Sequence, residues 1–203
     1  MLNPNSPIGA VYSENGVRAI IEKANATGAV VLIDEAYHYY YTKTFIPLII
    51  EYPNVLVLRT FSKLCSIAGL RIGYAAGNPR LIDYLEKAQG TFNVNGVAIL
   101  FAHEILKRPD IMESQRVVEA EGRKWLTGKL IESGYHTLSM EGNFVLFKPK
   151  RPSKELVAAL KAKNIWVRDY GLGILEGFVR VSTGEVNSMK KFWDALEVLD
   201  SHD

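Results

Sequence analysis

The chain has 203 residues, 48% of them hydrophobic and 23% charged, and its 24 basic and 22 acidic side chains leave a net charge of +2. A chain of this length buries about two-thirds of its unfolded surface on folding, and the composition excludes a disordered or collagen-like protein. Charge this balanced gives no support to a nucleic-acid groove or a membrane-binding patch.

The single cysteine, Cys65, forbids an internal disulfide and a multi-cysteine zinc site, so a reducing compartment is expected. The apolar stretch Phe45 to Ile50 is broken by Pro47 and is too short to span a bilayer, and the first residues lack the pattern of a signal peptide. The expectation is a soluble cytoplasmic protein.

In chain order, Ser13 predicts a helix N-cap, followed by Val17, Ile20, Ile21 and Ala24 at helical spacing and by Gly28 as the stop. Ala29 to Ile33, Val55 to Leu58 and Ile72 to Ala76 are short apolar runs, read as strands, the first buried on both faces. Helices between such strands predict a mostly parallel sheet of α/β type. Asn78-Pro79 opens a helix carrying Leu81, Ile82, Leu85 and Ala88, a second covers Val97 to Lys107, and a long one runs from about Ile111 to Ser133 with Val118, Trp125, Leu126 and Leu130 inward. An α+β pattern follows. It comprises a strand at Phe144 to Lys148, a helix after Ser153, strands at Ile165 to Arg168 and Phe178 to Ser182, and a closing helix with Val186, Met189, Trp193 and Leu196. The expected division is 1–108 for the α/β part and 109–203 for a small α+β domain. The opening Asn3-Pro4-Asn5-Ser6-Pro7-Ile8-Gly9 is turn-rich, and three strands are few for such a sheet, so sequence preceding this chain is expected to be missing.

Functional side chains of parallel sheets cluster past the carboxyl ends of the strands, where Asp34 and Ser62-Lys63 fall. A lysine in apolar surroundings near another cation gives up its proton more readily and becomes an amine nucleophile for Schiff-base chemistry. Thr60, Ser62 and Arg71 beside Lys63 would suit a phosphate; equally, a lysine at a strand–loop junction is an ordinary solvated charge. Asp34 could hold a ring nitrogen protonated and Tyr37 could bond a phenolic oxygen on the same ring, the arrangement that makes pyridoxal phosphate an electron sink. Acids at strand ends are also common without such a role. Arg168 and Arg180, flanked by apolar strand residues, would pair with a substrate carboxylate or phosphate or with an acidic neighbour. His38, His103, His136 and His202 lack metal-ligand spacing, so no metal is expected. Cys65 reads as a small buried side chain, and Gly69-x-x-x-Gly73 as close packing or a turn.

The ordered set Asn3-Pro4-x-x-Pro7-x-Gly9, Asp34-Glu35-Ala36-Tyr37, Thr60-x-Ser62-Lys63 and Arg71, with Arg180 near the end, resembles the class I/II, fold-type I pyridoxal-phosphate aminotransferases. Phe92-Asn93-Val94-Asn95, Gly142-Asn143-Phe144, Val167-Arg168-Asp169 and Val179-Arg180-Val181-Ser182-Thr183-Gly184 are most similar to the histidinol-phosphate aminotransferase branch. The resemblance implies part of the large cofactor-binding domain followed by the small C-terminal domain. It implies that Lys63 bonds the cofactor and shuttles a proton, that Asp34 pairs with the ring nitrogen and Tyr37 with the ring oxygen, and that Thr60, Ser62 and Arg71 belong to the phosphate cup. Arg180 and Arg168 would hold the acidic group of the substrate, with Asn143 on the substrate side. Ser6 stands where the family usually carries an asparagine that contacts the ring oxygen. The partners implied are an amino donor and a 2-oxo acid, in a homodimer, with the family's first strands and ring-stacking aromatic lying outside this sequence. A threonine-phosphate decarboxylase-like lyase, or a catalytically incomplete fragment, is the alternative.

Overall fold

The computed structural model describes residues 1–171 and 173–201. The chain forms two compact units: Met1–Ser6 with Ala10–Ser114, and Pro7–Gly9 with the chain from Gln115 onward.

In the first unit, helix α1 (Glu14–Ala26) starts at Ser13, whose Oγ accepts the Gly16 N–H at 3.2 Å and so satisfies one of the open donors of the first turn. Its Val17 and Ile21 are buried, whereas Ile20, expected on the same face, lies at the rim and is 47% exposed. Strands β1 (Val31–Asp34), β2 (Val55–Thr60) and β3 (Gly73–Gly77) form one sheet in that order. Phe45 and Leu48, the latter on a short helix α2 (Leu48–Glu51) that the sequence pattern did not mark, close a core with Val31, Ile33, Val55 and Val57. This core lies on one face only. Leu32 is 43% exposed, so the Ala29–Ile33 run is not buried on both faces as expected.

The expected α/β class holds, with a correction to the pairing. β1 and β2 are parallel, with Asp34 opposite Leu58, but β2 and β3 are antiparallel, with Thr60 opposite Gly73. The sheet is mixed, not mostly parallel. The reason is the connection: residues 61–72 carry one turn of 3-10 helix, Ala68–Leu70, and no crossover helix of the kind that returns a chain to a parallel strand. The segment instead folds back on itself. Its two ends are joined where the Phe61 N–H donates to the Ile72 carbonyl at 3.2 Å. Helices α3 (Pro79–Ala88) and α4 (Gly96–Leu106) follow, capped by Asn78 and Asn95. Ala98 and Ala102 of α4 pack directly against Phe61 and Ile72.

Helix α5 (Pro109–Glu132) contains the division between the units. In the second unit, β4 (His136–Leu138), β5 (Phe144–Lys148), β6 (Arg168–Asp169) and β7 (Val179–Ser182) form an antiparallel sheet in the order β4-β5-β7-β6. α6 (Ser153–Ala162), α7 (Val186–Leu199) and α5 pack on it through Leu126, Leu130, Leu156, Leu160, Trp193 and Leu196. This is the α+β arrangement expected, with β4 as an added edge strand and β6 shorter than the Ile165–Arg168 strand read from the sequence. Val118, expected inward on α5, is 38% exposed. Among the described residues no helix is long and apolar enough to cross a membrane.

Candidate active site

The carboxyl ends of β1 and β2 open into a cavity of about 590 Å3 in the first unit, within the size range of small-molecule sites. Asp34, Thr60, Ser62, Lys63 and Arg71 all lie in its wall. Asp34 ends β1, and its Oδ1 accepts the Ala36 N–H at 2.9 Å, which turns the carboxylate toward the cavity. Thr60 ends β2, and its Oγ1 accepts the Ser62 N–H at 3.0 Å, bending the chain into the lysine segment.

Burial of the flanking residues decides what that segment presents. Phe61 and Leu64 are buried, so Ser62 and Lys63 between them face outward. Lys63 is exposed, which corrects the expectation of apolar surroundings; its apolar neighbour is the face of Tyr37, with Nζ 5.3 Å from the ring centroid. Tyr37 itself is buried and lies outside the cavity wall, as does Ser6. Two non-glycine residues of the segment, Ser66 at φ 58° and Arg71 at φ 54°, adopt left-handed backbone. Such conformations cost free energy and concentrate at functional sites. Arg71 is held there by its guanidinium, which donates to the Ala68 carbonyl at 3.0 Å. Gly73, where β3 begins, is required by close approach: a Cβ there would lie 2.5 Å from the Arg59 carbonyl oxygen. This supports the packing reading of the Gly69-x-x-x-Gly73 pair for Gly73; at Gly69 a Cβ would meet open space.

The sequence reading missed Glu35 and Arg59. Glu35 is 1% exposed, and Arg59 in the cavity wall donates to its Oε2 through Nε at 3.0 Å and Nη2 at 2.9 Å. The available signal was an arginine inside an apolar strand, which needs an acid, and the acid adjacent to Asp34. His38 is fixed beside them, with Nδ1 3.0 Å from the Glu35 carbonyl. Burial, reinforced by the Arg59 charge, pulls its imidazole down to about 4. The folded unit therefore refuses a proton that the unfolded chain accepts near pH 6.5. Stability is full above that value and is lost as the pH falls toward 4, by up to about 1 kcal/mol per pH unit. Thermal melting from pH 7 to pH 4.5 is expected to show this slope, and His38→Asn to flatten it.

In the second unit Arg168 and Arg180 are directly opposite on β6 and β7 and therefore share a face. Their guanidinium carbons lie 5.5 Å and 5.9 Å from the ring centroid of Tyr170, and that of Arg180 also lies 5.5 Å from Phe144. Two guanidiniums on one face present converging donors of the kind that suit an anion. Tyr170 was not anticipated; its only sequence signal is adjacency to Val167-Arg168-Asp169. Asn143 precedes β5, and its carbonyl accepts the Thr183 N–H at 2.9 Å, which seats it beside the end of β7. Among the described residues no group of three or more His, Cys, Asp or Glu side chains is placed to hold a metal ion, and His202 lies outside the described residues.

A mixed α/β unit with an acid, an amine and a hydroxyl–guanidinium cluster at its strand ends, followed by an antiparallel unit with paired arginines, defines a recognisable class. The family model for aminotransferase class I and II matches residues 1–196, and the chain belongs to that family. It is similar to the histidinol-phosphate aminotransferase of Symbiobacterium thermophilum, at 33% identity over 199 residues, covering 97% of this chain and 55% of that relative. The chain thus spans little more than half the length of that relative. The crystal structure of the histidinol-phosphate aminotransferase from Clostridium acetobutylicum shares its fold, with a TM-score of 0.90 at 23% identity over 98% of this chain and 63% of the other. The Sinorhizobium meliloti histidinol-phosphate aminotransferase, solved in complex with pyridoxal-5'-phosphate, superposes with a TM-score of 0.83 at 25% identity, covering 98% of this chain and 55% of the other.

The family depends on pyridoxal phosphate, and the donor set fits that group. A carboxylate, a primary amine and a cluster of two hydroxyls with a guanidinium in one cavity wall answer to a ring nitrogen, an aldehyde and a phosphate dianion.

Proposed function

We propose that this chain carries the lysine-bearing part of an aminotransferase that moves the amino group of an amino-acid-like phosphate ester, histidinol phosphate, to 2-oxoglutarate in the reducing cytoplasm, as a homodimer. The supporting observation is the single wall shared by Asp34, Thr60, Ser62, Lys63 and Arg71. Pyridoxal phosphate, when bound, supplies an electron-accepting ring that stabilises the charge developing at the substrate α-carbon. Asp34 would pair with the ring nitrogen and the Tyr37 hydroxyl with the ring oxygen, although Tyr37 lies outside the cavity wall. Ser62, Thr60 and Arg71 bind the phosphate. Lys63 would hold the aldehyde of the bound cofactor through Nζ, and the same Nζ would serve as the base and acid for the proton at the substrate α-carbon. Arg180 and Arg168 orient the substrate by its own phosphate, a dianion that suits two guanidiniums above one aromatic ring. Asn143 takes the substrate side.

The test is borohydride reduction in the presence of pyridoxal phosphate, followed by peptide mapping and by turnover with histidinol phosphate. Label confined to Lys63, with turnover that requires 2-oxoglutarate, supports the reading. Label elsewhere or nowhere, or carbon dioxide release independent of the oxo acid, overturns it.

A further inference from the structure

Two consecutive acids close β1, and only one of them faces the cavity. Asp34 lies in its wall, whereas Glu35 is 1% exposed and saturated with donors. Its carboxylate accepts the Thr44 hydroxyl at 2.9–3.0 Å, the Phe45 N–H at 2.6 Å and both Nε and Nη2 of Arg59 at 3.0 and 2.9 Å. Arg59 also donates to Thr44 Oγ1 at 2.7 Å, closing a triangle. The main chain of Glu35 is equally engaged: its N–H donates to the Leu58 carbonyl at 2.8 Å, and its carbonyl accepts the His38 N–H at 3.0 Å.

We infer that the Glu35–Arg59 ion pair is the positioning device of this site: it fixes the Asp34–Tyr37 turn against the β2 end that leads to Lys63, and it withdraws the second carboxylate so that Asp34 alone meets a cationic ligand. The inference rests on the proposed cofactor chemistry for what the positions serve, but the clamp itself is a property of the chain. Arg59 immediately precedes Thr60 and Glu35 immediately follows Asp34, so the pair welds the two strand ends that carry the acid and the amine. A neutral pair of similar size would pack, but it would not draw four converging donors onto one oxygen pair, and loss of one partner leaves the other charge buried and uncompensated. Neither residue touches the reacting atoms in this scheme; both act through Asp34, Tyr37 and Lys63.

The test uses the full 203-residue chain as parent, Glu35→Gln and Thr44→Val, and reads two things. The first is amide hydrogen exchange without any added ligand. Glu35→Gln is expected to speed exchange at residues 35–38 and 58–61 about tenfold, with the amides of α1 unchanged. Should Glu35→Gln fail to fold, Thr44→Val, which removes one donor to Glu35 and the oxygen that accepts from Arg59 but leaves the ion pair itself, is expected to give the same local pattern at smaller amplitude. Exchange that rises uniformly through the unit marks a merely structural ion pair and overturns the inference, as does exchange that does not change. The second reading is the apparent Kd for pyridoxal phosphate, expected to rise about tenfold in Glu35→Gln; an unaltered Kd also overturns the inference. A parent that binds no pyridoxal phosphate overturns the proposed function instead, while the exchange pattern still decides the role of the pair.

Discussion

Lys63→Ala is expected to abolish borohydride-stable attachment of pyridoxal phosphate and to slow amino transfer at least ~1,000-fold. In the proposed function the side chain has two roles, an anchoring amine and a proton carrier, and no cation in the same wall can assume either. Arg71 and Arg59 share the cavity wall, but a guanidinium stays protonated across the working pH range and serves as neither nucleophile nor base. Lys63→Arg should therefore be as inactive as Lys63→Ala, although it keeps the charge. Because the cavity is open, a small added amine such as methylamine should restore part of the proton transfer in Lys63→Ala and none in Lys63→Arg, whose side chain fills the space. Single-turnover kinetics with peptide mapping checks all three results. Turnover of Lys63→Ala at the parent rate would remove the lysine from the chemistry.

Gly122→Ala is expected to destabilise the second unit by about 3 kcal/mol, a fall in melting temperature of roughly 12–24 °C for a unit of this size. A Cβ at this helical position would sit 1.7 Å from the Gly184 carbonyl oxygen. Backbone cannot rotate out of the way as a side-chain tip does, so α5 must lift from the 183–184 turn. Lifting breaks the 2.6 Å hydrogen bond from the Thr183 hydroxyl to the buried Glu119, whose carboxyl is already pushed up by burial. It also disturbs the turn that follows Arg180 on β7. Gly128, six residues along the same helix, is the internal control, since a Cβ there meets nothing within 4 Å. Gly128→Ala should stabilise by about 0.5–1 kcal/mol through helix propensity alone. Calorimetry of both variants checks the contrast.

Much of the cavity wall could be read from the order of residues, because it depends on strand ends, and strand ends are marked by local composition. Asp34 after an apolar run, and Thr60, Ser62 and Lys63 after another, needed no tertiary information. What the order concealed was pairing. Nothing in Val55–Thr60 or Gly73–Gly77 states that these strands run antiparallel; that follows from a connection with room for a turn and no crossover helix. Likewise Leu32 was expected to be covered, since an apolar run looks the same whether one face or both are packed. Glu35 was passed over for the same reason: an acid in a strand-end tetrapeptide carries no mark of whether it meets the cavity or an arginine from 24 residues further on. Lys63 lies just past the end of β2, but it is exposed where apolar surroundings are expected, since solvent access is set by what flanks the segment and not by its own residues.

Ala98 and Ala102 form the floor under Phe61 and Ile72. Phe61 stands two residues before Lys63, so two methyl groups on a helix some 35–39 residues downstream lie under the segment that carries the amine. Enlarging either to valine or leucine would act as a shim, raising the whole hairpin and tilting the amine without altering a single polar atom.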